Sequence, residues 1–533
     1  MKNSLTCLAV AAALAMTGVH SAVPAWAETP KDTLVMAYQF DDIITLDPAE
    51  VFEFTAAEYA GNTYDRLIGY DVNDVSKIFG VAAESWTISD DGKTYTFKMR
   101  PGISFASGNP MTAHDAAFSL QRAIVLDKSP AFILTQFGFP PENVKEKIKA
   151  VDDMTLVMET DQAYAPTFLL YCLTATISSV VDMKEVLAHE KDGDLGHAWL
   201  RTNYAGSGPF KLRQWKANEV LTLDRNDGYW GTKPAMKRVV IRHIVEPGTQ
   251  RLLLEKGDVD IARNLGPDQL AGLEGNPDIR IRQGVKGAIY YLGLSQKNEV
   301  LSKPEVRQAL KYLVDYDGIA GTILKGKATV HQAFLPNGFL GALTETPFTL
   351  DVAKAKELLA QAGVADGFKV TMDTRNSSPI MDMAQSIQST FAQAGIELEI
   401  IPGDGKQTLT KYRARNHDIY IGRWGPDYQD PHTNADTFAR NPDNSDEAKS
   451  KPLAWRNSWD IPELTKKADA AVLERDPKAR EQMYLDIQRE HQQTSPFVIM
   501  FQDIEVVAER ANTKGFVIGP AFDDNRYAGV VKE

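Results

Sequence analysis

Phosphate cradles, nucleophiles, paired acids and metal-binding histidines are the arrangements that could do chemistry, and the chain offers a near miss for each. Gly321-Thr322-Ile323-Leu324-Lys325-Gly326-Lys327-Ala328 comes within one residue of the loop that cradles nucleotide phosphates. Its last position is Ala328, which has no hydroxyl for a magnesium ion, and the stretch follows a helix-like run where a strand is needed. It reads as the end of a helix. Gly206-Ser207-Gly208-Pro209 lacks the later glycine of a dinucleotide fingerprint, and Pro209 removes a backbone donor that an anion would use, so it reads as a turn. No serine sits in a G-x-S-x-G elbow, and no histidine pair has H-E-x-x-H spacing. His189 and His197 fall in a charged segment and are expected on the solvated surface. Cys172, within Leu169-Leu170-Tyr171-Cys172-Leu173, reads as a small core residue and not as a nucleophile. The pair Asp41-Asp42 could serve a glycosidase, but among 71 acidic residues it has almost no specificity. The expectation is no catalytic set, no metal site and no cofactor.

The elements that must position any site begin after a leader. Lys2, an apolar stretch from Leu5 to Val19 and Ala25-Trp26-Ala27 follow the order of a secretory signal peptide, with cleavage expected after Ala27. Fifteen apolar residues are too few to span a membrane, which takes about 20. Export with Cys172 as the single remaining cysteine means no intramolecular disulfide. At about 150 residues per domain, 533 residues suggest three to four domains. The 43% apolar and 24% charged composition is that of a soluble globular protein. A formal charge of −13 argues against coating nucleic acid or anionic lipid and leaves neutral, zwitterionic or cationic partners open.

Alternation from Trp86 to Met99 around Asp91-Gly92 predicts a hairpin, and Thr112-Ala113-His114-Asp115 predicts a helix start, inside a mixed α+β unit over about 70–197. Short strands follow, including 219–223 and 239–241. After residue 290 strands and helices alternate. Helices are expected over 351–362, from Ser378-Pro379 with Pro379 at the first helical position, and over 476–493; strands are expected at 368–372, 396–400 and 418–421. That rhythm predicts an α/β lobe with a largely parallel sheet. The continuously apolar runs 289–294 and 496–501 bracket this region and read as strands buried on both faces.

Several short stretches, ordered along the whole chain, resemble the family 5 extracellular solute-binding proteins of ATP-driven importers, the peptide and nickel binding family. They are Thr45-Leu46-Asp47-Pro48, Ala83-Glu84-Ser85-Trp86, Gly206-Ser207-Gly208-Pro209-Phe210, Asn226-Asp227-Gly228-Tyr229-Trp230, Gly257-Asp258-Val259-Asp260-Ile261 and Val306-Arg307-Gln308-Ala309-Leu310. The resemblance implies an α/β bilobal periplasmic-binding-protein-like fold of type II, two lobes joined by two crossover strands. Lobe one would comprise 28–70, 198–288 and 502–533, an extra α+β subdomain 71–197, lobe two 295–495, and the hinge strands 289–294 and 496–501. It implies no enzyme but a monomeric periplasmic receptor that captures di- or oligopeptides and delivers them to an inner-membrane ABC permease with its cytoplasmic ATPase subunits. Sugars, opine conjugates, haem or nickel chelates are the rival ligands, and a secreted hydrolase is the rival from another class.

Gly422-Arg423-Trp424-Gly425-Pro426-Asp427-Tyr428-Gln429-Asp430-Pro431 is similar to the family's W-x-x-D-Y-x-(D/E)-P element. In peptide-binding members its first acid holds the ligand's α-ammonium, a part that falls here to Asp427. By the same mapping Trp424 is a flat apolar wall of the cleft, Arg423 a fork for a ligand carboxylate, and Glu53 and Phe54, with Phe52, the wall contributed by the first lobe. Where dipeptide-specific members carry an Arg after Ser378, this chain has Met381, with Arg375 out of register.

Overall fold

A computed structural model describes residues 29–448 and 450–533 of the chain. The expected leader and its cleavage point at Ala27 lie outside the described residues.

Two antiparallel strands of unusual length, Ile279–Leu294 and Phe497–Arg510, organise the described residues. They contain the two apolar runs, and from Ala288 to Leu294 every residue is buried, as a strand covered on both faces requires. Around them one eleven-stranded sheet assembles. Beyond Ile279–Leu294 come Ile419–Trp424, Phe368–Arg375 and Ile396–Gly403; beyond Phe497–Arg510 come Ile261–Ala262, Thr33–Tyr38, Arg238–His243, Val220–Arg225 and Phe210–Lys216, and the short strand Ala328–Val330 also pairs with Phe497–Arg510. The expectation of a largely parallel sheet after residue 290 is corrected. Phe368–Arg375 pairs in parallel with Ile396–Gly403 and Ile419–Trp424, but the two long strands and the Ile419–Trp424 join are antiparallel. Hairpin-free crossovers through helices account for the parallel part, and the long strands, which pass from one side of the molecule to the other, run opposite to each other.

The ladder between the long strands shifts register twice, between Val285 and Ile289 and between Tyr290 and Tyr291, and the first break is the wider. Ile279–Val285 pairs with Ile504–Arg510, and pairing resumes at Ile289 with Gln502, so residues 286–288 drop out of register. Such a bulge bends the strand and increases its local twist. Below the break lies a buried charge network: Lys286 reaches Glu505 at 3.1 Å, and Arg263 pairs with both Glu505 and Glu58.

A separate antiparallel sheet is formed by Ala83–Ile88, Thr94–Met99, Thr155–Glu159 and Ile148–Asp152. Gly92, at φ +73°, supplies the left-handed turn of the predicted hairpin. The helix Ala113–Leu126 packs on this sheet, and the Asp115 carboxylate accepts the Thr112 N–H at 2.8 Å. Pro379, expected at the first helical position, instead sits one place before the helix, because Ile380–Gln393 begins after it. In Thr45-Leu46-Asp47-Pro48 the acid is structural. Asp47 is fully buried, forks to Arg122 at 2.8 and 2.6 Å and meets His197 at 2.9 Å. Burial alone would raise its carboxyl, but these partners outweigh burial and hold it below the usual range. The glycines of Gly206-Ser207-Gly208-Pro209 allow close approach, since a Cβ on Gly208 would stand 2.5 Å from the Thr63 backbone.

The two halves of the chain touch: Tyr428 and Val472, from the later half, join an apolar core whose other buried members lie between Ala49 and Val180, with the Phe168 ring 5.9 Å from Tyr428 and 5.2 Å from His432.

Candidate functional site

The strand Ile419–Trp424 stops at Gly425-Pro426, where the missing proline N–H ends the ladder. Its carboxyl end delivers Asp427 into the space between the halves of the molecule, where ligands of open α/β sheets bind. The turn that follows is fixed at several points. The Asp427 amide donates to Thr433 Oγ1 at 3.0 Å. Asp430, fully buried, accepts two bonds of 2.7 Å from Arg480 and one of 2.9 Å from the His432 amide.

Its carboxylate has no hydrogen bond or ion pair among the described residues. It lines a chamber of about 90 Å³ with Glu53, Phe54, Ile177, Ala288 and Phe522. Burial, reinforced by nearby Asp436 and partly offset by Arg456, pushes its carboxyl up to about 7. Glu53, at the start of the helix Phe54–Thr63, faces the same chamber without a cation; burial also pushes it up, and Asp42 and Glu50 add to the shift. Phe54 stacks on Phe522 at 3.9 Å between ring centres, making an apolar wall from residues at opposite ends of the chain. A small chamber with two uncompensated carboxylates and aromatic walls is complementary to a cationic group on a partly apolar ligand.

The sequence pattern of the bacterial extracellular solute-binding proteins, family 5, matches residues 77–446. That covers more than half of the chain. The chain is a family 5 bacterial extracellular solute-binding protein. The probable D,D-dipeptide-binding periplasmic protein DdpA of Escherichia coli strain K12 is 29% identical over 535 residues, 98% of each chain. The glutathione-binding protein GsiB of Salmonella paratyphi A is 26% identical, covering 96% of this chain and 98% of that one. Among solved structures, the periplasmic binding protein DppA of Helicobacter pylori in complex with the peptide STSA superposes with a TM-score of 0.81 at 26% identity, covering 94% and 98%. The fold is that of type II periplasmic binding proteins.

Within this solute-binding protein the expected site residues divide. Glu53, Phe54 and Asp427 meet in one chamber. Arg423 and Trp424 are not among the residues that line it. The Arg423 guanidinium pairs with Asp503 of the long strand and lies 5.3 and 5.2 Å from the Phe54 and Phe522 rings, so it supports the aromatic wall. Trp424 points the other way, against Phe438 in the core of the second half, and its indole N–H is buried without a partner. Phe522, Ala288 and Ile177 went unrecognised in the sequence. No local signal marks them, because each joins the chamber through a long-range contact.

His197 is taken up by Asp47, and His189 stacks on Trp199 at 4.2 Å. Cys172 is buried in the same apolar core as Phe168, with burial pushing its thiol well up.

The unpaired Asp427 has a cost in the ligand-free protein. Its folded carboxyl titrates near 7 against an ordinary 3.8, so the stability it contributes is fully present below 3.8 and is lost as pH rises through 7. Asp427→Asn is therefore expected to stabilise the ligand-free protein at pH 8 by about 1–3 kcal/mol, with the gain fading toward pH 4. Thermal denaturation of both proteins across that range checks it.

Proposed function

We propose that this solute-binding protein captures a peptide by its free amino end between two lobes in the periplasm and delivers it to an ABC permease. The observation that carries the reading is the unpaired Asp427 carboxylate, held by a pinned turn in a chamber that both halves of the chain line. An ammonium entering there gains a charge-assisted hydrogen bond in a drier medium, and it relieves the buried charge. The relatives support the class of ligand, since their names specify a D,D-dipeptide, glutathione and the bound peptide STSA.

In this reading lobe one comprises 28–70, 198–288 and 502–533 with the subdomain 71–197, and lobe two comprises 295–495. The lobes move about the two long strands, and the bulge at 286–288 is the place where bending is easiest. Closure of the lobes on the ligand is the population shift that the permease reads. The protein acts as a monomer, exported by the leader that ends at Ala27, and it changes no bond in its ligand. Incubating the purified protein with isotope-labelled oligopeptides tests this last point. The expected result is recovery of intact peptide after release; fragments accumulating with protein concentration would overturn the assignment as a binder.

A further inference from the structure

Asp427 follows one end of the strand Ile419–Trp424. At the other end Asp418 opens onto a cavity of about 400 Å³, within the 300–1,000 Å³ of ordinary ligand sites. The six strand residues, at about 3.3 Å each, put roughly 20 Å between the two places, and no residue lines both. Three stretches of the second half meet at this cavity. Ser295 follows the long strand Ile279–Leu294, and its amide donates to the Asp418 carbonyl at 2.8 Å. Thr371, inside the strand Phe368–Arg375, donates its N–H at 3.1 Å and its hydroxyl at 2.9 Å to the Asp418 carboxylate. Lys411, Arg415 and His417 come from the helix Gly405–Arg413 and the turn after it.

Two side chains in its wall are more than nine-tenths buried and carry an atom without a partner. They are Ser295, 1% exposed, at Oγ, and His417, 8% exposed, at Nδ1. A native protein retains such groups where something else completes them. The place of the histidine's hydrogen follows from its neighbour. Asn457 Nδ2 donates to Tyr412 Oη at 2.8 Å and to the Leu453 carbonyl at 2.9 Å, so its Oδ1 is the atom that meets His417 Nε2 at 3.0 Å. Nε2 therefore carries the hydrogen, and Nδ1 is a bare acceptor. Burial keeps the ring neutral by pushing it down to about 4. Asp418, the one acid among the lining residues, is engaged by Asn298 and Thr371, and Arg415 by Ser458, Asn444 and Asp446. Two ammonium groups complete the wall. Lys297 is exposed and comes no closer to Asp446 than 3.9 Å, and Lys411 gives one bond of 2.7 Å to Asp373.

A bare acceptor, a free hydroxyl and ammonium groups in one cavity are complementary to a ligand that brings both an O–H and a negative oxygen. We propose that this cavity is a second binding site, for a small oxyanion bearing an O–H. The ligand's O–H donates to His417 Nδ1, and its charged oxygen accepts from Ser295 Oγ and from the Lys297 ammonium. Hydrogen phosphate and an α-hydroxycarboxylate share this chemistry. Sulfate has the shape of phosphate but no proton at neutral pH, so it would set a lone pair against the bare nitrogen. The site does not depend on capture at Asp427, and its failure would leave that reading intact.

Titration calorimetry of the full mature chain at pH 7 and constant ionic strength tests this, with inorganic phosphate against sulfate and lactate against propionate. Phosphate or lactate is expected to bind one to one and about tenfold or more tighter than its control, and the one that does so identifies the source of the oxyanion. Ser295→Ala, which removes only a small buried hydroxyl, is expected to weaken that ligand about tenfold. Lys297→Glu, at an exposed position, is expected to weaken it by about tenfold or more. Saturable binding of neither phosphate nor lactate overturns the proposal and leaves the cavity to water. Each ligand binding no tighter than its control overturns the O–H donated to His417, and binding that both variants leave unchanged puts the anion elsewhere and overturns the site.

Discussion

Asp427→Ala is expected to lower the affinity for a free-amine peptide by more than tenfold. In the proposed complex the carboxylate and the ligand ammonium are partners in a site closed from water, and removing one leaves the other unpaired at a cost of roughly 2–5 kcal/mol. The pH dependence gives the same interaction a second signature. In the ligand-free protein burial pushes the Asp427 carboxyl up to about 7, while the bound ammonium requires it ionised. Binding below pH 7 must therefore expel a proton, and affinity is expected to fall about tenfold per pH unit, reaching roughly a hundredfold at pH 5. Above pH 8 the ligand's own amino group, with a pKa of about 7.7–8.0, loses its charge, so affinity peaks between these limits. Calorimetry from pH 5 to pH 9 checks both limbs, and Asp427→Asn is expected to flatten the acid limb. An acid limb that persists unchanged in Asp427→Asn would assign the titration to another group.

Arg480→Ala is expected to destabilise the protein by about 3–5 kcal/mol, because it leaves the fully buried Asp430 carboxylate without its partner. Arg480 does more than neutralise that acid. Its Nε donates to the Ala471 carbonyl at 3.0 Å, and one terminal nitrogen lies 3.3 Å from Thr167 Oγ1 in the other half of the molecule. Losing the fork also releases the turn that aims Asp427, so peptide affinity is expected to fall together with stability. Replacing both partners with apolar residues, Arg480→Met with Asp430→Leu, is expected to recover part of the stability but not the affinity, since no charge is then buried but the turn has lost its anchor. Chemical denaturation and calorimetry on the single and double variants separate the two effects.

The strand-helix elements of the second half were readable because burial imprints a period on each, two residues for strands such as Ile396–Gly403 and about 3.6 for helices such as Val352–Gln361. Asp427 was readable because a strand end followed by Gly-Pro places a residue at the cleft, and because its surroundings resemble a family element. What the sequence does not show is pairing at a distance. Asp430 finds Arg480, Arg423 finds Asp503 and Phe54 finds Phe522 across separate stretches of chain, and nothing local to either member announces the other. Arg423 and Trp424 are neighbours on a strand, so alternation alone sends their side chains to opposite faces of the sheet. The parallel sheet was overstated for a related reason: helices between strands argue for parallel pairing inside one lobe but say nothing about strands that pass between lobes.

The two carboxylates at the mouth of the helix Phe54–Thr63 and at the end of Ile419–Trp424 approach the chamber from different lobes. A ligand held by both would stabilise the arrangement in which the lobes are together, which is how a binding event becomes a signal to a permease.

Native mass spectrometry of the full mature chain, purified without refolding and mixed with a pool of free-amine peptides or with the same pool acetylated at the amino end, tests the central claim most directly. Capture at Asp427 predicts a one-to-one complex with the free-amine pool and its loss, by tenfold or more, with the acetylated pool. Equal retention of the acetylated pool, or retention of neither, would contradict it.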